Sequence, residues 1–337
     1  MLNKAIMLTR RIVLTLSCLL AGSLYAEEEI ITFAWENDSF TSYSDSFYTN
    51  GARISYLNAE RDAPAPARWL ADKIPMFKGD PIKGYTLSVG QNMYTPEDIS
   101  IAGPQPDDRP WAGFSYLSVG MAAGDPAGTV DDVEVMLGVV GPFSYAEDVQ
   151  IGWHNLKDIQ RPNGWTHQLD NEPVIGVAWQ RRWPRWWNTP VPTPWGSTHL
   201  LSFTPNISGA LGNAYTHAAV GGTLRWSTDP AALIDTPVRV RPSMPGTGYF
   251  QATVKPNVIY FIGVEERAVA RNIFLDGNTF TSSDSVRKRN FVTDVQAGLA
   301  VTWKNYQVGY TAVYRTKEFF GQDAGQIFGA LSLSYRF

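Results

Sequence analysis

The sequence has 337 residues, of which 44% are hydrophobic and 13% aromatic, and its formal net charge is −4. A chain of this length can bury a large core, which excludes a small disulfide-stabilised scaffold, and its many aromatic residues exclude intrinsic disorder. Its 28 Lys and Arg residues do not exceed its 32 Asp and Glu residues, so no nucleic-acid partner is expected.

Residues 1–26 are predicted to be a secretory signal. Three basic residues precede an apolar run over 12–22, and Ala26 stands before three consecutive glutamates. A basic start, a short apolar run and a small residue at the cut are typical of a cleaved signal, and this run is too short for a membrane-spanning helix. Cleavage would leave residues 27–337 as a single domain. Because this part of the sequence has no Cys, thiolate nucleophiles and thiolate metal sites are excluded.

After the signal, apolar side chains alternate with small or polar ones, which predicts β-strands that each have one apolar face. The twelve segments with this pattern are 29–35, 50–58, 84–92, 112–122, 130–140, 173–182, 198–210, 213–226, 257–271, 289–303, 305–318 and 326–337. An even number of strands is what a closed antiparallel bacterial barrel requires. None of these segments reaches the ~18 consecutive apolar residues of a transmembrane helix.

Two exported architectures use such strands: a soluble β-sandwich and a transmembrane barrel whose apolar face meets lipid. The barrel is favoured because aromatic residues recur near strand ends, as Trp35, Trp111 and Trp303 do, in the manner of interfacial girdles. The last strand ends on Phe337, which resembles the signal that the barrel assembly machinery recognises. We therefore predict an all-β, transmembrane antiparallel β-barrel of about twelve strands in the outer membrane of a Gram-negative bacterium.

The order of the strands predicts which loops face outward. With the N-terminus in the periplasm, segments 36–49, 93–111 and 141–172 lie on the extracellular side. Residues 144–160 break the alternation and carry apolar residues at helical spacing, which predicts a short helix on the third outer loop. Connections 59–83 and 227–256 fall on the periplasmic side and are long for that side.

The first outer loop is rich in carboxylate and amide side chains. Residues 36–40 read Glu-Asn-Asp-Ser-Phe, and Asp45 precedes Tyr-Thr-Asn-Gly at 48–51. Such a run of oxygen ligands suits a hard cation such as Ca²⁺. The alternative is an Asx-rich turn between two strands, because Asn, Asp and Gly are turn formers.

The other two outer loops supply a charged cluster and a histidine. Asp108 and Arg109 lie before the fourth strand and suit either a polar headgroup or a salt-bridged loop. Gln150 and His154 are four residues apart, so a helix presents both on one face. Histidine is well suited to remove a proton from water near neutral pH, although a structural histidine beside Trp153 is the alternative. Strand order brings all three clusters to the same side of the membrane.

Ordered motifs spread over 27–337 carry a resemblance to a known family. These are Glu-Asn-Asp-x-Phe at 36–40, Tyr-Thr-Asn-Gly at 48–51, Tyr-Thr-Pro at 94–96, Asp-Arg-Pro-Trp-Ala-Gly at 108–113, Val-Gly-Pro at 140–142, Gln150 with His154, Gly-Trp at 164–165, Asn-Glu-Pro at 171–173, Gly-Ala-Leu-Gly-Asn-Ala-Tyr-Thr at 209–216 and the final Phe337. Together they resemble the lipid A 3′-O-deacylase family of outer-membrane barrels.

This resemblance implies a Ca²⁺-dependent hydrolase of the outer leaflet that removes the 3′-acyloxyacyl group from the lipid A of lipopolysaccharide. It assigns Asn37 and Asp38 to the metal and His154 to the general base. Gln150 and Thr49, with Asn37, would orient the water or the ester carbonyl, and no acyl-enzyme is expected. Predicted partners are lipopolysaccharide, outer-membrane lipids and, during insertion, the barrel assembly machinery.

The sequence departs from the family at two places. Characterised relatives have a Lys-Arg pair in the second outer loop that is thought to hold a lipid A phosphate. Ile101 and Ala102 stand there in this chain, so Arg109 and Asp108 are the predicted substrate-binding residues. A family Glu beyond the histidine is replaced by Gln160, with Asp158 as its possible substitute.

Two other readings remain open from the sequence. One is a barrel without catalysis, such as a porin or a structural protein, and another is a related lipid esterase with a different substrate. An outer-membrane phospholipase A would need a His-x-Ser pair along a strand, and none of the four His residues provides it.

Overall fold

A computed structural model describes residues 29–40, 47–59, 65, 68–69, 73, 77, 82–124, 128–184, 186–230, 239–240 and 248–337. The predicted signal and Asp45 lie outside the described residues. The described chain is built mostly of antiparallel strands with two short α-helices, α1 (Ala146–Lys157) and α2 (Ile273–Asp276). Neither helix is long and apolar enough to cross a membrane.

The strands follow the predicted segments closely. They are β1 Glu29–Asn37, β2 Phe47–Asn58, β3 Ile82–Thr95, β4 Ala112–Gly124, β5 Val130–Val140, β6 Glu172–Arg182, β7 Trp187–Pro192, β8 Thr198–Gly212, β9 Tyr215–Ser227, β10 Thr253–Asn272, β11 Phe291–Lys304, β12 Tyr306–Arg315 and β13 Gln326–Arg336. Strand β1 pairs with β13, and β6 pairs with β8, which closes the sheet. Short β7 pairs with the first half of β8, while β6 pairs with its second half. The result is the predicted twelve-strand barrel, with β7 as an added short strand.

The two faces of the strands have opposite character. On β4 the side chains of Phe114, Tyr116 and Ser118 are buried in the lumen, whereas Leu117, between them, is 64% exposed. On β1 the buried positions include Thr32 and Glu36, and Phe33 between them is exposed. Polar and aromatic side chains therefore share the interior, and apolar side chains cover the outer wall, as the lipid around an outer-membrane barrel requires.

Charged side chains in the lumen neutralise one another across the barrel. Arg53 of β2 contacts Glu134 of β5 at 2.7 Å, and both side chains are almost fully buried. Asp294 of β11 accepts from Arg267 of β10 and Arg315 of β12, each at 2.8 Å. A buried charge is costly unless it is paired, so these pairs stabilise the charges in the lumen and hold together the strands that carry them.

Aromatic side chains pack at both ends of the lumen. We call the end at which β1 begins the periplasmic end, following the predicted orientation, and the opposite end the extracellular end. At the extracellular end, Phe274 of α2 stacks on Tyr94 with ring centroids 4.1 Å apart. At the periplasmic end, Phe250 is fully buried against Ile30 and Ile259.

The two long periplasmic connections pack on the barrel in different ways. Two stretches of the connection between β9 and β10, residues 239–240 and 248–250, lie inside the lumen. In the connection between β2 and β3, Phe77 covers the outer wall against Met121 and Val133. Their length on the periplasmic side is explained in part by these contacts.

Candidate functional site

The candidate site lies on the outer wall of the barrel, at the extracellular end of β1 to β4. Trp35 of β1 points outward, and its ring meets that of Trp153 in α1 edge to face, with centroids 5.7 Å apart. Outward-facing Met93 of β3 packs with Ala146 of α1 and with Trp165. Helix α1 therefore lies against the outside of the wall and does not cover the lumen.

A glycine on β4 allows this close approach. A Cβ atom at Gly113 would lie 2.1 Å from Ser144 Oγ and 2.4 Å from Ala146 Cβ, so there is no room for a side chain. The segment leading into α1 is fixed by two bonds to its main-chain carbonyl at Ser144, from Gln91 Nε2 at 2.7 Å and from Ser115 Oγ at 2.8 Å.

Helix α1 presents its polar face to the barrel. Its buried residues are Ala146, Gln150 and His154, spaced by four, whereas Trp153 and Leu156 are exposed, Leu156 by 76%. In water this helix would bury its apolar residues. The reversed orientation leaves the apolar Val149, Trp153 and Leu156 exposed beside the polar Asp148 and Asn155, where the lipid of the outer leaflet meets the wall. It also encloses the two predicted catalytic side chains of the helix.

The hydrogen bond to His154 defines its tautomer. Its Nδ1 contacts the main-chain oxygen of Gln160. Because a carbonyl oxygen only accepts, Nδ1 carries the hydrogen and the lone pair is on Nε2. Gln160 thus contributes through its backbone, while the Asp158 side chain is exposed at the end of the helix.

The side chain of Gln150 is held in place by Trp165, a residue with no role predicted from the sequence. Trp165 Nε1 donates to Gln150 Oε1 at 2.7 Å, and both side chains are buried. The Gln150 amide nitrogen is also buried and donates to no atom of the described residues. A buried donor of this kind is costly unless it finds an acceptor. The Gln150 amide nitrogen is therefore suited to bind a carbonyl oxygen or a water at this position.

The ends of β1 and β2 form the other part of the site. A register shift between Tyr48 and Asn50 places both Thr49 and Asn50 on the outer side of β2, as β-bulges do near active sites. Thr49 Oγ1 and Thr95 Oγ1 are 2.7 Å apart. Asn50 Oδ1 accepts from Asn37 Nδ2 at 3.3 Å.

Asp38 follows directly in a fully buried position. It begins a 3-10 turn over Asp38–Phe40, which is held against the wall where Phe40 packs over Gly329. The structure thus brings Asn37, Asp38 and Thr49 to the same end and outer face of the wall as α1, and the Trp35–Trp153 contact joins the two parts.

The residues around Asp38 offer oxygen ligands. The nearby carboxylate, amide and hydroxyl groups match the ligands that Ca²⁺ prefers. Among the described residues no three His, Cys, Asp or Glu side chains form a cluster able to hold a metal. A cation here would therefore be held by Asp38, the Asn37 amide oxygen and main-chain carbonyls, which are common Ca²⁺ ligands.

Arg109 and Asp108 lie apart from this site. Arg109 is fully buried, its Nη1 is 3.3 Å from Glu318 Oε2, and its guanidinium lies over the ring of Tyr94, which faces the lumen. Asp108 accepts from the main-chain nitrogens of Glu97 at 2.7 Å and Arg109 at 2.6 Å. These contacts give both residues a structural role in the loop, and their substrate-binding role stays a prediction.

Local sequence patterns indicate no role for Trp165, Asn50, Thr95 or Gly113. All four stand within the motifs that carried the family resemblance. Their position in these motifs was the available signal, but the sequence does not tell which of them contact Gln150, Thr49 or α1.

The fold and the site define an outer-membrane β-barrel with a polar site on its outer wall, beneath a helix. The family model of outer membrane protein LpxR matches residues 10–337, so the chain belongs to the LpxR family of outer membrane proteins. This match confirms the predicted family and its location in the Gram-negative outer membrane.

A solved structure shares the fold. LpxR from Salmonella typhimurium is 16% identical to this chain, with a TM-score of 0.71 over 91% of this chain and 100% of that one. The β domain of the Bordetella autotransporter BrkA is 10% identical, with a TM-score of 0.41 over 93% of this chain and 100% of that one. None of the curated protein sequences compared with this chain matches it.

Proposed function

We propose that this protein hydrolyses the ester that attaches the 3′-acyloxyacyl group to lipid A, with lipopolysaccharide of the outer leaflet as its substrate. The observation that carries the proposal is the reversed orientation of α1, which buries Gln150 and His154 against the outer wall. A lipid-borne ester that arrives from the membrane meets these groups without entering the lumen.

His154 has the role of general base. Its Nε2 takes a proton from the attacking water, while the Nδ1–H bond to Gln160 keeps the ring oriented and stabilises the imidazolium that forms. Gln150 Nε2 donates to the ester carbonyl or to the water, since its other amide atom is held by Trp165. The water oxygen adds directly to the carbonyl carbon, so no serine nucleophile is required. The tetrahedral adduct then breaks the ester C–O bond, which releases the acid, and the imidazolium of His154 returns its proton to the departing 3′-oxygen of lipid A.

Thr49 and Asn37 orient the substrate from the strand side of the site. Asp38 and Asn37 would hold Ca²⁺, whose charge supplies electrostatic stabilisation of a developing oxyanion when it is bound. The oxygen-only chemistry of these side chains supports this cation over zinc, which favours nitrogen and sulfur ligands.

Mass spectrometry of lipid A from cells that express the protein tests the proposal. The wild type is expected to release the acyloxyacyl group and His154→Ala to leave lipid A intact. His199→Ala is the matched control, because His199 lies at the periplasmic end, where it accepts from Trp226 Nε1 at 2.9 Å, and should retain activity. Intact lipid A with a correctly folded wild-type barrel would refute the proposal, and so would activity in His154→Ala.

A second candidate is an esterase of another outer-leaflet lipid. It is favoured by the positions of the second-loop residues where a phosphate group would be bound. Arg109 is buried toward the lumen, and the uncharged Ile101 and Ala102 are exposed. Rates on bisphosphorylated lipid A, dephosphorylated lipid A and phosphatidylethanolamine distinguish the candidates. A faster rate on phosphatidylethanolamine would favour the second.

The porin alternative is less well supported. Phe250 and Val240 occupy the lumen together with buried ion pairs, and aromatic rings pack at its extracellular end. A water-filled channel needs an open lumen.

A further inference from the structure

The connection between β9 and β10 places an arginine inside the barrel behind the candidate site. Arg239 Nε donates to Glu36 Oε1 at 2.9 Å, and the main-chain nitrogen of Val240 donates to the same oxygen at 3.1 Å. The side chains of Arg239 and Glu36 are 6% and 1% exposed. Solvent therefore screens this ion pair very little, and the pair fixes the orientation of the Glu36 side chain.

These contacts lie on the lumen side of the ends of β1 and β2. The opposite side of the same strand ends carries the candidate site. Glu36 directly precedes Asn37, and Tyr48 directly precedes Thr49. The Tyr48 hydroxyl donates to the carbonyl oxygen of Val240 at 3.3 Å. Successive residues of a strand point to opposite faces, so a side chain held in the lumen fixes the backbone from which its neighbour projects outward.

The packing around Val240 leaves little freedom. A Cβ atom at Gly51, opposite Glu36 on β2, would lie 2.1 Å from the Tyr48 hydroxyl and 3.0 Å from Val240 Cγ1. Asn92 Nδ2 donates to the same hydroxyl at 2.9 Å. Because interiors this close-packed transmit displacements, a shift of residues 239–240 would move the ends of β1 and β2.

Arg239 also contacts two other strands of the barrel. Its Nη1 is 3.3 Å from Gln296 Oε1 on β11, and its guanidinium lies over the ring of Phe328 on β13, 5.3 Å from the centroid. One side chain from a periplasmic connection thus links β1 to the strands that close the barrel.

We propose that Arg239 is a positioning residue, which acts through Glu36 to fix, from inside the lumen, the end of β1 that carries Asn37 and Asp38. The kinetic part of this inference rests on the proposed function. The structural part does not, because the order of the β1 end is measurable without substrate.

Arg239→Gln, Arg239→Lys and the control Arg182→Gln test the inference in the full-length barrel. Arg182 is a matched control because it forms a buried lumen ion pair with Asp132, at 2.6 Å, near the periplasmic end. Hydrogen exchange of peptides that cover 29–58 reports the order of the β1 end, and steady-state kinetics on lipid A report kcat, KM and the half-saturating Ca²⁺ concentration.

Arg239→Gln is expected to increase exchange at 36–38 and to lower kcat by about 10–100-fold, since a displacement near 1 Å has an effect of this size. The half-saturating Ca²⁺ concentration should rise with it. Arg239→Lys keeps the charge and should recover part of both losses. Arg182→Gln should lower thermal stability but leave exchange at 36–38 and kcat as in the wild type.

Equal exchange at 36–38 in Arg239→Gln and Arg182→Gln would overturn the inference. An inactive but folded wild type would refute the proposed function, and the exchange comparison would still decide the role of Arg239. If Arg239→Gln fails to fold, Glu36→Gln replaces it, because it removes the charge and keeps an acceptor oxygen. Unchanged exchange in that variant would equally overturn the inference.

Discussion

Gly113→Ala should move α1 away from the barrel wall. The new Cβ atom would lie 2.4 Å from Ala146 Cβ, whereas carbon atoms in contact are ~3.5–4.0 Å apart. The methyl group of Ala146 cannot rotate away, so the helix must move by about 1 Å or more. His154 moves with it. A misplacement of this size costs about 100-fold in rate, and we expect that loss in kcat on lipid A.

The assay is release of the acyloxyacyl group from purified lipid A, followed by mass spectrometry, with barrel folding checked by heat-dependent migration on gels. Gly152→Ala is the control on the same helix. A Cβ atom at Gly152 meets no atom within 4 Å, so this variant should keep full activity and gain up to ~1 kcal/mol of stability. Activity of Gly113→Ala within about threefold of the wild type would refute the helix placement, and so would an equal loss in Gly152→Ala.

Three further predictions follow from the contacts of the site and the lumen. Trp165→Phe removes the hydrogen-bond donor to Gln150 Oε1, so a buried acceptor loses its partner. We expect kcat to fall about tenfold without unfolding of the barrel, and unchanged kinetics would contradict this role of Trp165. Arg53→Met leaves Glu134 unpaired and should lower the free energy of unfolding in detergent by about 3–5 kcal/mol, and Arg53→Met with Glu134→Leu should restore most of it. Chelation of Ca²⁺ should abolish activity in a folded barrel, and Asp38→Asn should raise the half-saturating Ca²⁺ concentration; an unaltered Ca²⁺ dependence would remove Asp38 from the metal role.

The barrel could be predicted from the sequence because strand alternation depends only on neighbouring residues. Twelve alternating segments overlap the twelve barrel strands. Strand β7 was missed because Pro190 and Pro192 interrupt its pattern, and proline is tolerated there only because β7 lies at an edge.

The helix illustrates a different limit. Its spacing predicts that Gln150 and His154 share a face, and the structure has both buried on that face. Spacing does not tell which face is buried. The rule that a helix buries its apolar face assumes that water surrounds the protein. At this lipid-facing wall the exposed residues of the helix include the apolar Val149, Trp153 and Leu156, beside the polar Asp148 and Asn155.

The roles of the arginines could not be predicted from the sequence at all. Arg109 stands close to the predicted site in the chain, yet its partner Glu318 is 209 residues away. Arg239 is 203 residues from Glu36 and contacts it. Such pairs depend on how the barrel closes and on which residues of a connection lie in the lumen. A local sequence pattern carries no information on either.

The position of α1 on the outer wall has a kinetic consequence. An enzyme whose site lies on the outer wall of its barrel meets substrate by lateral diffusion within the leaflet. Its rate then depends on the mole fraction of substrate among the surrounding lipids, and not on the amount per volume of solution. Dilution of lipid A with an inert amphiphile at constant bulk concentration should slow the enzyme in proportion, and the deacylated product should stay in the membrane as a competitor.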